Sequence, residues 1–152
     1  GMAALKYHII KVNPKKKMIF DPKESVDLQG HTGPYIQNAF VRISSVLRKL
    51  ESEVTTDFIA YNPINEDEKE LLMQLSAYKG VISNAAESYD PSVLANYTYS
   101  LAKRFHKFYH NHSILKAESP DAKSFRLSLS KVVATILADA MHILGIEMPE
   151  KM

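Results

Sequence analysis

The strongest periodic pattern of the chain lies between residues 34 and 50, which read PYIQNAFVRISSVLRKL. Apolar side chains recur there at steps of three and four, at Ile36, Ala39, Phe40, Ile43, Val46, Leu47 and Leu50. This spacing places them on one stripe of an α-helix. Gly33 and Pro34 come just before the stripe, where proline is tolerated because the first helical N–H groups have no intrahelical acceptor. The stretch therefore predicts an amphipathic helix that buries one face.

Downstream of this helix, a loop is predicted through residues 61–63. Asn65 and Glu68 then have the spacing of a capping box, which predicts a second helix. Its apolar residues are Leu71, Leu72, Leu75 and Tyr78. Gly80 predicts the end of this helix, and residues 81–88 predict a short third one.

Two long helices are predicted at the C-terminal end, where Asp90-Pro91 and Ser119-Pro120 each join an N-cap residue to a proline at the first helical position. The first buries Leu94, Tyr97, Leu101, Phe105 and Phe108, and the second buries Phe125, Leu129, Val132, Val133, Ile136, Leu137, Ala140 and Leu144. Gly145 is a candidate C-cap. Residues 146–152 are long enough to lie back on the bundle. Helices joined by short loops predict an all-α helical bundle.

The first thirty residues contain no complete amphipathic unit. Residues 2–11 predict a short helix that Pro14 stops, residues 17–20 a short strand or an extended link, and residues 21–22 and 29–30 two turns. We expect exposed apolar surface in this region.

Composition excludes several functional classes. The chain has 152 residues, 45% of them hydrophobic and 24% charged, which suits one globular domain. It has no cysteine, so disulfides and thiolate chemistry are excluded. No signal peptide and no apolar run of about 20 residues is found. We expect a soluble protein of the cytoplasm, without a membrane partner.

Charge is distributed unevenly, although the net charge is only +2. Residues 1–23 and 103–131 are rich in lysine and arginine, whereas residues 51–70 are acidic. Segregated basic stretches suit a polyanionic partner. The alternative is that they are solvated helix faces.

Motifs for catalysis are missing: we find no phosphate-binding glycine loop, no nucleophile elbow and no zinc-protease pattern. His106, His110 and His112 make a zinc site conceivable, but we expect no carboxylate close by to complete or orient the set. We therefore interpret the three histidines as part of a polar, partly basic helix face. Glu68 and Glu70 are interpreted as solvated surface. We therefore predict no catalytic residue, no metal ligand and no cofactor in this chain.

Five passages resemble the arginyl-tRNA synthetase family. Residues 30–43, GHTGPYIQNAFVRI, are similar to the family's G-x-T-G-P-Y-x-Q-Y-A-x-x-R-I, and residues 144–152, LGIEMPEKM, to its closing L-G-I-x-x-P-x-[RK]-M. Residues 95–102 and 105–109 resemble A-x-Y-x-Y-x-L-A and F-x-x-F-Y, and residues 4–7 resemble A-x-K-Y. The matches occur in the family's order over nearly the whole chain.

This resemblance implies a class I synthetase that joins arginine to its tRNA with ATP and Mg²⁺. The family's HIGH-type and KMSKS-type motifs lie upstream of these passages and are not found here. Residues 1–30 would be the end of the catalytic domain, or a linker from it, and residues 31–152 an α-helical anticodon-binding domain of the DALR type. The chain alone would be inactive, and its partners would be arginine-accepting tRNA and the parent's catalytic domain.

The spacing of polar residues on the helix predicted over residues 34–50 is consistent with RNA binding. A second stripe, away from the one centred on Ile43, contains Tyr35, Asn38, Arg42 and Ser45. Unpaired bases are read by stacking on aromatic or guanidinium planes and by hydrogen bonds to their edges. The family match gives such roles to Tyr35 and Arg42. Asn38 stands where the family usually has tyrosine, so one stacking surface is lost or replaced by hydrogen bonding.

Two further residues match family positions that wall a base pocket, Tyr109 and Met152. From the pattern alone, Tyr109 could equally be a core aromatic and Met152 a frayed end. Lys103, Arg104 and Lys107 are candidate phosphate contacts. A helical protein–protein interaction domain without RNA binding is the alternative function. The two functions differ at Tyr35, Arg42 and Met152, because an interaction domain does not need these residues to converge on one basic pocket.

Overall fold

A computed structural model describes residues 1–50 and 63–152. These residues form seven helices: α1 (Met2–Ile10), α2 (Pro22–Ser25), α3 (Gly33–Lys49), α4 (Glu66–Ser76), α5 (Tyr78–Glu87), α6 (Pro91–Asn111) and α7 (Pro120–Ile143). No strand occurs in these two segments, so the predicted all-α class is confirmed. None of the described helices combines the length and the apolar run needed to cross a bilayer.

The core lies where α3, α6 and α7 meet, with α4 and α5 packed on α6 and α1 on α3 and α6. It consists of fully buried side chains that the periodicity had predicted, among them Ile36, Ile43, Leu101, Phe105, Phe108, Leu129, Val133 and Leu137. Burial of each large apolar side chain contributes about 1.5–3 kcal/mol relative to its exposure. The bundle is thus held by one continuous apolar core.

Local capping explains why the helices begin where they do. The Thr32 hydroxyl accepts a hydrogen bond from the backbone of Tyr35 and caps α3. At α4 the predicted capping box is confirmed, because Asn65 and Glu68 each accept a bond from the other's backbone N–H at 2.9 Å. The predicted caps of α6 and α7 are also present, from the side chains of Asp90 and Ser119.

The C-terminal tail lies back on the bundle, as predicted. Gly145 has φ +70°, and its N–H bonds to the carbonyl of His142 while the next N–H bonds to the carbonyl of Met141. This pattern is a Schellman motif, which glycine favours because it tolerates positive φ. The tail is then fixed to α3, since Gln37 and Arg48 donate to carbonyls of the tail at residues 147 and 150.

Two predictions about boundaries are wrong or incomplete. Gly80 lies inside α5, and the chain turns three residues earlier at Ala77. Glycine costs only about 1 kcal/mol in a helix, so tertiary contacts can override it. Here Tyr78 stacks on Tyr97 at 5.5 Å and donates a hydrogen bond to Asp139, which fixes the start of α5.

The second concerns the region before α3. The turn predicted at residues 21–22 is the start of the short helix α2, capped by Asp21. Residues 17–20 form no strand, so the link alternative applies there. Exposed apolar side chains are present as expected, including Leu5, Ile9 and Ile19. Residues 61 and 62 of the predicted loop and residues 51–62 of the acidic stretch lie outside the described residues.

α1 packs closely on the start of α3 at Gly33. A Cβ atom at this position would lie 2.9 Å from the carbonyl oxygen of Ala3 and 3.0 Å from the Cβ of Tyr7. Glycine is therefore required for the close approach, which brings Tyr7 beneath the first turn of α3.

Candidate nucleic-acid interface

Aromatic rings and one guanidinium group lie side by side where α3 and α6 run next to each other. The ring of Tyr35 lies 4.7 Å from that of His106 and 5.3 Å from that of Tyr99. Two turns further along α3, the Cζ atom of Arg42 lies 5.0 Å from the centre of the Tyr109 ring. We call these five residues the α3–α6 aromatic face.

Arg42 is held by two neutral groups of α6. Its Nη1 lies 3.3 Å from Nδ1 of His106, and its guanidinium lies over the ring of Tyr109 in a cation–π contact. Burial lowers the pKa of His106 and outweighs a backbone hydrogen bond with Tyr35 that raises it. The charge of Arg42 adds to the lowering, so the neutral imidazole is favoured at pH 7. Arg42 itself is exposed. The positive charge of this face is therefore carried by one oriented and accessible guanidinium.

Behind the face, His31 ties it to α1. The His31 ring stacks on Tyr99 with 3.9 Å between centroids, and its Nε2 lies 3.0 Å from the hydroxyl of Tyr7. That hydroxyl donates to the carbonyl of Ala95 at 2.7 Å, so its oxygen accepts from His31. Burial, followed by the charge of Lys11, lowers the pKa of His31. The ring is a neutral support for Tyr99.

The structure brings three of the predicted site residues together: Tyr35, Arg42 and Tyr109. Asn38 and Ser45 are half-buried on α3. Asn38 lies between Tyr35 and Arg42 along the helix, and Ser45 lies about one turn beyond Arg42. Met152 is 63% exposed, two residues beyond the carbonyl that Arg48 binds. Its place in a base pocket stays a prediction.

Beside Tyr109, a cavity of about 220 Å³ opens at the end of α6. It is lined by Val46, Tyr109, His110, His112, Ser113, Ile114 and Leu115. Tyr109 is half-buried and packs on Phe105 while one side borders this cavity. It is therefore both a core contact and a surface wall, which the sequence had left as alternatives.

Of the three candidate phosphate contacts, two are paired with acidic residues of α4. Arg104 bonds to Glu70 at 2.8 Å, and Lys107 bonds to Asp67 at 2.7 Å and lies 3.6 Å from Glu70. Hydrogen bonds from Asn111 and Lys107 lower the pKa of Asp67 to about 2. Lys103 is exposed on α6.

The interpretation of Glu68 as solvated surface is wrong. Glu68 is fully buried, and its carboxylate bonds to Nε of Arg126 at 2.7 Å. Arg126 also bonds to Glu118 and to the carbonyl of Ser113, so this member of the basic stretch is neutralised inside the protein. The capping box explains the burial, because it directs Glu68 back over the start of α4, where α7 packs. Glu70 is partly exposed and paired with Arg104.

The three clustered histidines have separate roles. His106 contacts α3, His110 is exposed, and Nε2 of His112 bonds to Asp67 at 3.0 Å. The statement that no carboxylate stands nearby is therefore wrong for His112, because Asp67 comes from a distant helix. Across residues 1–50 and 63–152, no three His, Asp or Glu side chains are grouped as metal ligands.

Sequence reasoning missed His31, Tyr99 and His106 as members of the site. A signal existed for two of them, because residues 99, 103, 106 and 110 of α6 follow at steps of four, three and four and therefore lie on one stripe of that helix. Two such stripes meet if their helices are neighbours. His31 precedes α3 and offers no comparable pattern.

Comparison with known proteins assigns a family to this chain. The family model described as the DALR anticodon binding domain matches residues 36–152. An arginine–tRNA ligase of Porphyromonas gingivalis is 43% identical over the whole chain, which corresponds to 26% of that protein. One of Flavobacterium psychrophilum is 46% identical, with 25% of its length covered.

Solved structures agree with these relatives. The arginyl-tRNA synthetase of Thermus thermophilus superposes with a TM-score of 0.88 at 30% identity, over 99% of this chain and 26% of that one. A putative arginyl-tRNA synthetase from Campylobacter jejuni gives 0.82 at 27% identity, over all of this chain and 34% of that one. The chain thus spans about a quarter of the length of the curated relatives it matches. On the family match, the chain belongs to the DALR anticodon binding domain family.

Proposed function

We propose that this chain binds the anticodon stem-loop of an arginine-accepting tRNA, as the RNA-binding part of an arginine–tRNA ligase. The parent enzyme would carry out the ATP- and Mg²⁺-dependent ligation in another domain, in the cytoplasm. Residues 31–152 would form the binding domain, and residues 1–30 would join it to the catalytic domain. The proposal is supported by the family, by the names of the relatives and by the α3–α6 aromatic face.

The observation that carries the proposal is the position of Arg42 over Tyr109, with His106 in contact with both Arg42 and Tyr35. A base that has left its stack can lie against an aromatic ring or a guanidinium plane and can bond to guanidinium N–H groups through its edge. Asn38 and Ser45 would add hydrogen bonds on the same helix. Met152 would close the pocket with a polarizable thioether.

Phosphate contacts would come from the exposed basic residues near this face. Lys103 is solvent-exposed and available to a polyanion. Arg104 and Lys107 would have to share their charge between RNA and the acids of α4, so their contributions would be smaller. Such contacts add affinity that depends on salt but carries no sequence information.

The proposed function is tested by binding of the chain to an arginine-tRNA transcript at two salt concentrations. The same transcript with a changed central anticodon base is measured in parallel. We expect binding that weakens with salt, that is weaker for the changed base, and that loses this difference in Tyr35→Ala. Equal binding of both transcripts by the unaltered chain would contradict anticodon reading.

The alternative of a protein-interaction domain has one observation in its favour. A mostly apolar groove of about 390 Å³ lies between α5, α6 and the end of α7, and its lining includes Tyr89, Leu94 and Ile143. Tyr89 is 90% exposed and has φ +51°. If the chain fails to bind RNA even at low salt, this alternative replaces the proposed function.

A further inference from the structure

Resting on the proposed function, we propose that His106 is a positioning residue for anticodon reading. Its Nδ1 accepts a hydrogen bond from Arg42 and thereby holds the guanidinium over Tyr109, in the orientation that a base or phosphate meets. His106 would touch no RNA atom itself. It would act through Arg42 and Tyr35, the two residues to which the proposal assigns the reading.

The geometry defines the protonation state that this role requires. A guanidinium only donates hydrogen bonds, so the Nδ1 atom 3.3 Å from Nη1 of Arg42 must be unprotonated. The neutral ring then carries its proton on Nε2. Burial lowers the pKa of His106 more than a backbone hydrogen bond with Tyr35 raises it, and the charge of Arg42 also lowers it, which favours a neutral ring.

The same ring also contacts Tyr35. The rings of Tyr35 and His106 meet edge to face with 4.7 Å between centroids. One imidazole of α6 therefore touches both reading residues of α3, and it sets the position of one relative to the other. Because the Arg42 side chain is long and has many rotamers, holding it in place before RNA binds reduces the conformational entropy that it loses on binding.

A neutral acceptor is well suited to this task. A carboxylate at position 106 would hold Arg42 more strongly, but it would also neutralise the guanidinium and repel phosphates. Histidine orients Arg42 and leaves its charge available. The arrangement is therefore specific to a side chain that is an uncharged acceptor at pH 7.

Two substitutions separate the acceptor from the ring. His106→Asn keeps an acceptor oxygen close to the position of Nδ1, whereas His106→Phe keeps the ring without an acceptor. His142→Asn, at an exposed histidine near the end of α7, is the matched control. Thermal unfolding of each variant verifies that it is folded.

The readout is the ratio of affinities for the unaltered and the base-changed transcript. We expect His106→Phe to lower this ratio about tenfold, the effect of one lost hydrogen bond to a charged group. His106→Asn is expected to retain most of the ratio, and His142→Asn all of it. An unchanged ratio in folded His106→Phe, or an equal loss in folded His106→Asn, would overturn the proposal.

A measurement without RNA distinguishes this proposal from the proposed function. Nitrogen NMR of the histidine rings in the free chain is expected to show His106 with its proton on Nε2, and a shifted Nδ1 signal in Arg42→Ala. A proton on Nδ1 at pH 7 would refute the positioning role even if RNA binds. Conversely, absence of anticodon discrimination by the unaltered chain would refute the proposed function, while the NMR result would still report the His106–Arg42 bond.

Discussion

Arg42 and Arg126 are each held by side chains of neighbouring helices, but the partners differ in charge. Arg126 is buried between α4 and α7 and bonds to the carboxylates of Glu68 and Glu118. Arg42 is exposed between α3 and α6 and is held by the neutral rings of His106 and Tyr109. Both are fixed, yet only one keeps a net charge at its surface.

This difference separates a structural arginine, Arg126, from Arg42, which we propose binds RNA. Burial disfavours the charge of Arg126, but the hydrogen bonds that it donates to Glu68 and Glu118 outweigh burial and raise the pKa of Arg126. The charge of Arg126 is neutralised by carboxylates within the protein, so it is not available to bind a ligand. Arg42 has its orientation set by groups that do not neutralise it, which is the requirement for a residue that meets a polyanion.

The largest expected effect comes from breaking the buried network with Glu68→Gln. This change leaves the buried Arg126 with one carboxylate instead of two, so we expect a loss of about 3 kcal/mol in the free energy of unfolding. Urea unfolding measures it, with Glu66→Gln on the same helix as an exposed control. A loss no larger than that of the control would show that the network contributes little.

Arg42→Ala is expected to produce the converse result. Because Arg42 is exposed, the free energy of unfolding should stay close to that of the unaltered chain, while affinity for the tRNA transcript falls about tenfold or more. Lys79→Ala removes one positive charge from an exposed position on α5 and serves as the control. If both variants weakened binding equally, Arg42 would contribute charge only, without a specific contact.

A smaller effect is expected from pH, because both histidines of the site have lowered pKa values in the fold. An unfolded histidine titrates near pH 6.5, so the unfolded chain binds more protons below that pH. The contribution of these two histidines to the free energy of unfolding is therefore fully present above about pH 6.5. It is lost as the pH falls through their lower pKa values in the folded chain.

Unfolding measured between pH 7.5 and 5 tests this expectation. The decline in stability should be reduced in His106→Gln and His31→Gln. An identical decline in both variants and the unaltered chain would contradict the neutral state assigned to these rings.

The smallest expected effect distinguishes paired from unpaired lysines on α6. Lys103→Ala should reduce the magnitude of the slope of log affinity against log salt concentration by about 1, the value expected for one lost phosphate contact. Lys107→Ala should reduce it less, because Asp67 and Glu70 already bind that ammonium group. Equal slopes for both variants would mean that ion pairing within the protein does not select the phosphate contacts.

Local signals made most of the fold predictable. Asn65 with Glu68, Asp90-Pro91 and Gly145 satisfy helix ends through neighbours in sequence, so their roles can be seen without the structure. The turn at Ala77 could not be predicted, because contacts of Tyr78 with distant residues fix it. The burial of Glu68 was missed for the same reason: its partner Arg126 is 58 residues away.

The candidate site shows a similar division. The spacing of Tyr35 and Arg42 on one helix was sufficient to place them on a common stripe. Which residues of α6 would meet that stripe depends on how two helices pack, and periodicity within each helix does not contain that information. His31, Tyr99 and His106 therefore became visible only in the structure.

The most direct test is an NMR titration of the chain with the isolated anticodon stem-loop, observing the side-chain signals of both arginines. We expect the signals of Arg42, Tyr35 and Tyr109 to shift at low RNA concentration while those of Arg126 stay unchanged. Shifts that avoid the α3–α6 aromatic face, for example at α4 and α5 only, would contradict the claim that this face reads the anticodon.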